Sequence, residues 1–154
     1  MDIIIVGIGG QGTILASKVL CDALVEEGYD VKKSEVHGMS QRGGSVITHV
    51  RFSKKKVYSP LIRVNSADIV LSFNEDETRR YSYLAKEDSR VIQLTDEDKK
   101  KVFSQSLNMF GLGKLSKLVD VSIDSWYKSF RNNIKKFYDE NIKAFEIGRN
   151  EGIK

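Results

Sequence analysis

The residues with the clearest chemical potential come early. Gly7-Ile8-Gly9-Gly10-Gln11-Gly12 follows an apolar run and precedes an amphipathic stretch. Glycines at Gly-x-Gly-x-x-Gly spacing let the backbone approach a pyrophosphate, and free N–H groups at a helix start attract its charge. Gly9 is expected to need an unusual φ or close packing. Glu35, 23 residues past Gly12, stands where an acid would hold a ribose hydroxyl. A second reading is equally open: the turn simply packs helix tightly against sheet.

The second candidate is the stretch Glu35-Val36-His37-Gly38-Met39-Ser40-Gln41-Arg42-Gly43-Gly44-Ser45. Its glycines imply positive φ or a close approach. A guanidinium between glycines, as at Arg42, suits a phosphate or carboxylate; it could equally brace the loop or dock a partner, and Glu35 is its expected ion-pair partner. His37 could orient a ligand or move a proton near neutral pH, or bond the loop backbone. Gln11, Ser40 and Gln41 could touch a ligand, although such side chains often satisfy backbone groups in glycine loops. No catalytic residue and no metal ligand is assigned. His49, in an alternating stretch, and Cys21, beside Leu20, read as structural. Lys54-Lys55-Lys56 reads as a solvated tip or a docking point for an acidic partner.

These residues need elements to hold them. Ile3-Ile4-Ile5-Val6 fits a strand covered on both faces. Leu15, Val19 and Ala23 share one helical line, closed by Gly28. Asp30 to Glu35 reads as a strand. Only His37 to Gly44 then intervenes before the alternating stretch Ser45 to Phe52, too short for a parallel crossover. That third strand is therefore expected to run antiparallel and to break the usual dinucleotide-binding half. Val57-Tyr58-Ser59 is expected to return as a β-hairpin ended by Pro60. Further strands are expected at Ala67 to Phe73 and Arg90 to Leu94. Asn74 caps one helix and Thr95 opens another. Asn108 to Leu118 and Ser125 to Ile147 look helical, with Trp126, Phe130, Ile134 and Phe137 as one apolar stripe. The expected fold is α/β: one Rossmann-like domain over residues 1–154, its mostly parallel sheet flanked by helices, with a β-hairpin insertion and a helical C-terminus.

Composition narrows the functions. A chain of 154 residues with 40% hydrophobic residues can bury a core without staples. One cysteine and two histidines cannot build an iron–sulfur cluster or a thiolate zinc site. No apolar run approaches a membrane span, and the start lacks a signal-peptide pattern, so a cytoplasmic location is expected. The net charge of +4 is compatible with an anionic cofactor, an acidic partner or nucleic acid, but no nucleic-acid motif is present, and neither nucleic acid nor membrane is expected as a partner.

Together the glycine turn and the Glu35 to Ser45 stretch resemble the γ-type subunit or domain of 2-oxoacid:ferredoxin oxidoreductases, nearest to the β subunit of indolepyruvate:ferredoxin oxidoreductase. Val57-Tyr58-Ser59-Pro60-Leu61-Ile62, Ala67-Asp68, Asn108-Met109 with Gly111, and Asn141 to Gly148 extend the resemblance in the family's order. It departs at residues 95–107, where family members are longer and a further strand is expected. The resemblance implies an accessory subunit of an enzyme that oxidatively decarboxylates arylpyruvates to acyl-CoA. Thiamine diphosphate and iron–sulfur clusters would sit on the catalytic partner subunit, in a hetero-oligomer that reduces ferredoxin. This chain would hold no cofactor firmly, with coenzyme A as a possible visitor, and could form a homodimer when isolated. The competing expectation is a free-standing oxidoreductase domain binding NAD or a flavin.

Overall fold

The computed structural model describes residues 1–40 and 43–152. Five strands, β1 (Asp2–Ile8), β2 (Asp30–His37), β3 (Ser45–Ser53), β4 (Ala67–Ser72) and β5 (Ala85–Gln93), form one sheet in the order β2-β3-β1-β4-β5. β3 is antiparallel to both β2 and β1, while β1, β4 and β5 run parallel. Four strands thus point one way and β3 alone is reversed, as its short connection requires.

β1 is the central strand, and Ile3 to Val6 are fully buried. Their alternation divides the core. Ile3 and Ile5 face a large cluster with Val50, Leu71 and the helices; Ile4 and Val6 face a smaller one with Ile47, Ile62, Val70 and Leu84. The large cluster is closed by α1 (Thr13–Glu26) and by the three C-terminal helices described below. The smaller is covered by α2 (Glu75–Tyr81), the 3₁₀ turn Ser82–Leu84 and irregular chain.

The irregular chain replaces an expected hairpin. Val57, Tyr58 and Ser59 form no strand. β3 already has ladder partners on both edges, so this segment crosses its face, held by side chains. The Asp30 carboxylate accepts from the Val57 N–H at 2.6 Å, the Arg51 guanidinium donates to the carbonyls of Ser59 and Leu61, and the Ile62 N–H donates to His49 Nδ1 at 3.2 Å.

Asn74 caps α2 by accepting from the Glu77 N–H. Thr95 opens α3 (Asp96–Lys101) with a capping box closed by Asp98, and Ser104–Ser106 adds a 3₁₀ turn. β5 begins at Ala85, before the expected Arg90, and stays the sheet edge; α3 and the 3₁₀ turn fill the stretch where another strand was expected. α4 spans Leu107–Leu115, three residues shorter at its end than expected. The expected helix from Ser125 to Ile147 is two, α5 (Ile123–Asn133) and α6 (Tyr138–Glu151). Asn141 stabilises the corner by donating to the carbonyls of Lys136 and Phe137, and Phe137 adopts φ 53°. Trp126, Phe130 and Ile134 are buried as a stripe, while Phe137 lies off it at 44% exposure. α4 and α6 touch backbone to backbone: a Cβ on Gly113 would strike the Phe145 carbonyl, and one on Gly148 the Phe110 carbonyl.

Candidate functional site

The turn between β1 and α1 is held from both ends. The Gln11 N–H donates to the Ile8 carbonyl at 3.2 Å. Its side-chain oxygen accepts from the Ile8 N–H at 2.8 Å, and its side-chain nitrogen donates to the Phe73 carbonyl at 3.0 Å. The Gln11 amide therefore ties the turn to the end of β4. Gly10 and Gly12 have φ of 93° and 80°, a region that L side chains rarely adopt. A Cβ on Gly7 would lie 2.9 Å from both Gln11 Oε1 and Thr13 Oγ1, and one on Gly12 would collide with the Asn108 side chain. Gly9, by contrast, has no positive φ, and a Cβ there would make only ordinary contacts with Gly43 and Gly44. The conformational demand falls on Gly7, Gly10 and Gly12 rather than on Gly9.

Turn and loop meet. The Gly9 N–H donates to the Gly44 carbonyl at 2.8 Å, and the Gly38 N–H donates to the Ser45 carbonyl at 2.7 Å. Gly43 has φ 65°, and a Cβ on Gly44 would crowd the Ser40 carbonyl at 3.0 Å. The loop end is fixed from α2: Ser45 Oγ donates to the buried Glu77 carboxyl and lies 2.9 Å from the Tyr81 hydroxyl. Gln41 and Arg42 lie outside the described residues, and with them the expected pairing of Arg42 with Glu35. Glu35 accepts from Lys33 Nζ at 2.6 Å and lies 3.7 Å from His37 Nε2. Because β3 is inserted between β1 and β2, Glu35 is a full strand farther from the turn than a ribose-binding acid in an uninterrupted parallel half.

The turn is flanked by hollows of different charge. One of about 300 Å³ is lined by Gly9, Gly10, Thr13, Ile14, His37 and Val46. A second, about 340 Å³, is lined by Gly10, Gln11, Gly12, Lys99, Ser104 and Gln105. Neither has a carboxylate in its lining. A third, about 450 Å³, shares Gln11 and Lys99 but is ringed by Glu75, Asp76 and Asp96 from the first turns of α2 and α3. The carboxylates repel an anionic group from the third, while the start of α1 favours one at the first two; Lys99 is paired with Asp96 at 2.6 Å. Among the described residues no side chain caps α1, and none pairs with the buried Thr13 hydroxyl in its first turn.

Sequence reasoning missed Lys99, Ser104, Gln105, Glu77 and the role of Asn108. The first three fall in the stretch that departs from the resembled family, so only the topology brings them to the turn. Glu77 carried no signal beyond its place in a capped first turn. Asn108 stood out only through the resemblance.

The remaining candidates are structural. His49 is buried, its Nδ1 accepting from Ile62, and burial holds its pKa below the ordinary histidine value. Burial pushes the Cys21 thiol up to about 12, so it is no thiolate at neutral pH. Among the described residues there is no group of three or more His, Cys, Asp or Glu able to hold a metal ion, and no helix long and apolar enough to cross a membrane.

Fold and turn define an α/β fold with an interrupted dinucleotide-binding half. The chain belongs to the pyruvate ferredoxin/flavodoxin oxidoreductase family, whose model matches residues 2–105. It is 48% identical over 86 residues to indolepyruvate oxidoreductase subunit IorB of Thermococcus kodakarensis, covering 55% of this chain and 42% of that protein. The match thus spans about two-fifths of that curated relative's length. The fold is that of the keto/oxoacid ferredoxin oxidoreductase γ subunit from Geobacter sulfurreducens, with TM-score 0.78, 22% identity, and coverage of 97% of this chain and 96% of that one. It also matches part of the 2-oxoglutarate:ferredoxin oxidoreductase of Magnetococcus marinus, solved with 2-oxoglutarate, coenzyme A and succinyl-CoA bound. There the TM-score is 0.80 and the identity 20%, covering 97% of this chain and 30% of that one.

Proposed function

We propose that the chain, as one Rossmann-like domain, is the accessory subunit of a 2-oxoacid:ferredoxin oxidoreductase acting on arylpyruvates. Thiamine diphosphate and iron–sulfur clusters belong to a larger catalytic subunit, which supplies the decarboxylation and the electron transfer to ferredoxin. This chain's own part is at the approach of coenzyme A. The observation that carries the reading is the bond from the Gly9 N–H to the Gly44 carbonyl, which joins both family motifs into one surface beside two carboxylate-free hollows. The backbone N–H groups of Gly10, Gly12 and Thr13 fit the phosphates of a coenzyme, and Lys99, paired with Asp96 at 2.6 Å, would have to turn from that carboxylate to join them; His37, on the opposite side of the turn, fits a second polar group. The displacement of Glu35 by β3 weighs against the free-standing NAD or flavin reading.

The test is co-expression with the thiamine subunit encoded by the same host. A stable hetero-oligomer with coenzyme-A-dependent oxidation of an arylpyruvate is expected. Gly12→Val should lower coenzyme A affinity in the complex, provided assembly is retained. Coenzyme A at 100 times its dissociation constant should stabilise the complex by about 2.7 kcal/mol. Thermal stabilisation of the isolated chain by NADH, with no assembly, would overturn the reading.

A further inference from the structure

The two faces of the sheet are covered very unequally. Four helices close one, while the other has α2, a 3₁₀ turn and the irregular segment of residues 54–66. Strands parallel to their neighbours are ordinarily buried on both faces. Beside the exposed charges of α2 (Glu75, Asp76, Arg79 and Arg80), the irregular segment and the 3₁₀ turn expose apolar side chains: Tyr58 is 84% exposed, Val64 59%, Leu61 55% and Tyr83 52%. The segment and the 3₁₀ turn are continuous, since the N–H groups of Asn65 and Ser66 donate to the carbonyls of Tyr83 and Leu84. Exposed apolar side chains gathered on one surface mark an interaction site.

Charge says what covers it. The segment of residues 54–66 carries four Lys and Arg residues, Lys54, Lys55, Lys56 and Arg63, and no Asp or Glu. The whole positive excess of the chain therefore sits in this stretch. Arg51 and Lys54 are engaged, by Asp2 and by the Tyr29 ring with the Glu27 carbonyl. Lys55 and Arg63 are exposed and make no ion pair among the described residues. A second copy would bring the same cations to the same apolar centre, and like charges across an interface repel.

We propose that Tyr58, Leu61, Val64 and Tyr83, edged by Lys55 and Arg63, form the docking surface for a different protein chain, one that presents an apolar centre rimmed by carboxylates. Resting on the function proposed above, that chain is the larger, thiamine-diphosphate-binding subunit. Tyrosine and arginine suit the anchors of such an interface, and rim charges set its rate of encounter and its salt dependence.

The experiment is assembly of this chain with the co-expressed larger subunit, measured by sedimentation at about 0.1 M and 0.5 M salt, between which the screening length roughly halves. Arg63→Glu should weaken assembly at least tenfold at the lower salt and less at the higher. Tyr58→Ala should weaken it about as much at both. Lys135→Glu, on the helical side of the sheet, should change it less than twofold. The circular dichroism of Arg63→Glu should match wild type, because Arg63 is exposed. Wild-type assembly with all three variants within twofold would overturn the surface and leave the proposed function standing. Failure of the wild-type chain to assemble would overturn both. Self-association of the chain alone, abolished by Tyr58→Ala, would make the occupant a second copy and overturn the proposal.

Discussion

The side-chain amide of Asn108 donates to the Gly12 carbonyl at 3.2 Å, across 96 positions of sequence. The same carbonyl accepts the Ala16 N–H at 3.0 Å, and Asn108 Oδ1 accepts the Met109 N–H at 2.9 Å. One residue thus fastens the start of α4 to the start of α1, directly under the glycine turn.

Gly12→Ala should therefore be costly. Left-handed backbone at a non-glycine residue costs about 1–3 kcal/mol, and the added methyl displaces the Asn108 amide, worth about 1 kcal/mol more. Chemical denaturation should show a loss of roughly 2–4 kcal/mol. Gly10→Ala should lose only the backbone part, since nothing stands within 4 Å of its Cβ. Equal losses at the two sites would contradict the role given to Asn108.

Glu77→Ala leaves the Ser45 hydroxyl, which also pairs with the Tyr81 hydroxyl, without its buried acceptor. A loss of about 1–3 kcal/mol is expected, with Glu77→Gln retaining much of it. Hydrogen exchange at Gly9 and Gly38 should speed up in the alanine variant, because the loop end is then released from α2. Unchanged exchange would show that the two backbone bonds hold the loop alone.

A pH prediction follows from His49. Its folded pKa is depressed by burial, so the folded state favours the neutral ring and the unfolded chain binds the extra proton. Stability from this group is full above the unfolded value of 6.5 and is lost as pH falls below it toward the folded value. Thermal unfolding should show this decline as pH falls below 6.5, and His49→Gln should flatten it. Asp98 acts in a lower window. Burial raises its carboxyl pKa, but the backbone and hydroxyl of Thr95, with Lys114 and Lys101, outweigh burial and leave it below the ordinary range. Its stabilisation is present above an unfolded value of about 3.9 and is lost as pH falls through the folded one.

Trp126 is the only tryptophan. It is fully buried, and its indole N–H has no hydrogen-bond partner among the described residues. Trp126→Phe removes an unsatisfied donor along with packed volume. Its cost should stay under about 2 kcal/mol, below the roughly 3–5 kcal/mol of truncating such a residue to alanine. A larger loss by denaturant titration would mean that an ordered water satisfies the indole. The wild-type emission should be blue-shifted and should report the helical layer directly.

How much of this was legible in the sequence depended on range. The run Ile3 to Val6, the glycine turn, the cap at Asn74 and the box at Thr95 are local patterns, and each forms the element its residues imply. The reversal of β3 was legible from the length of its connection alone. Val57 to Ser59 misled because the edges of β3 were already taken by β1 and β2, a fact of topology. The corner at residues 134–137 was hidden because the apolar stripe runs up to it, while Asn141, which bonds it, lies in the next helix. At the site, the turn and the loop could be read as neighbours; Lys99 and Gln105 could not, because α3 and the 3₁₀ turn reach the turn only through the order of strands.

The contact of α4 with α6 through Gly113 and Gly148 also constrains how this chain can drift over generations. Elsewhere in the core, a methylene lost from one side chain can be regained by its neighbour, so volume is exchanged gradually through tolerated intermediates. Two backbones in contact have no such neighbour to trade with. Any side chain at either position must part the helices along their shared length, so both sites stand as barriers in sequence space where the surrounding leucines and phenylalanines offer slopes.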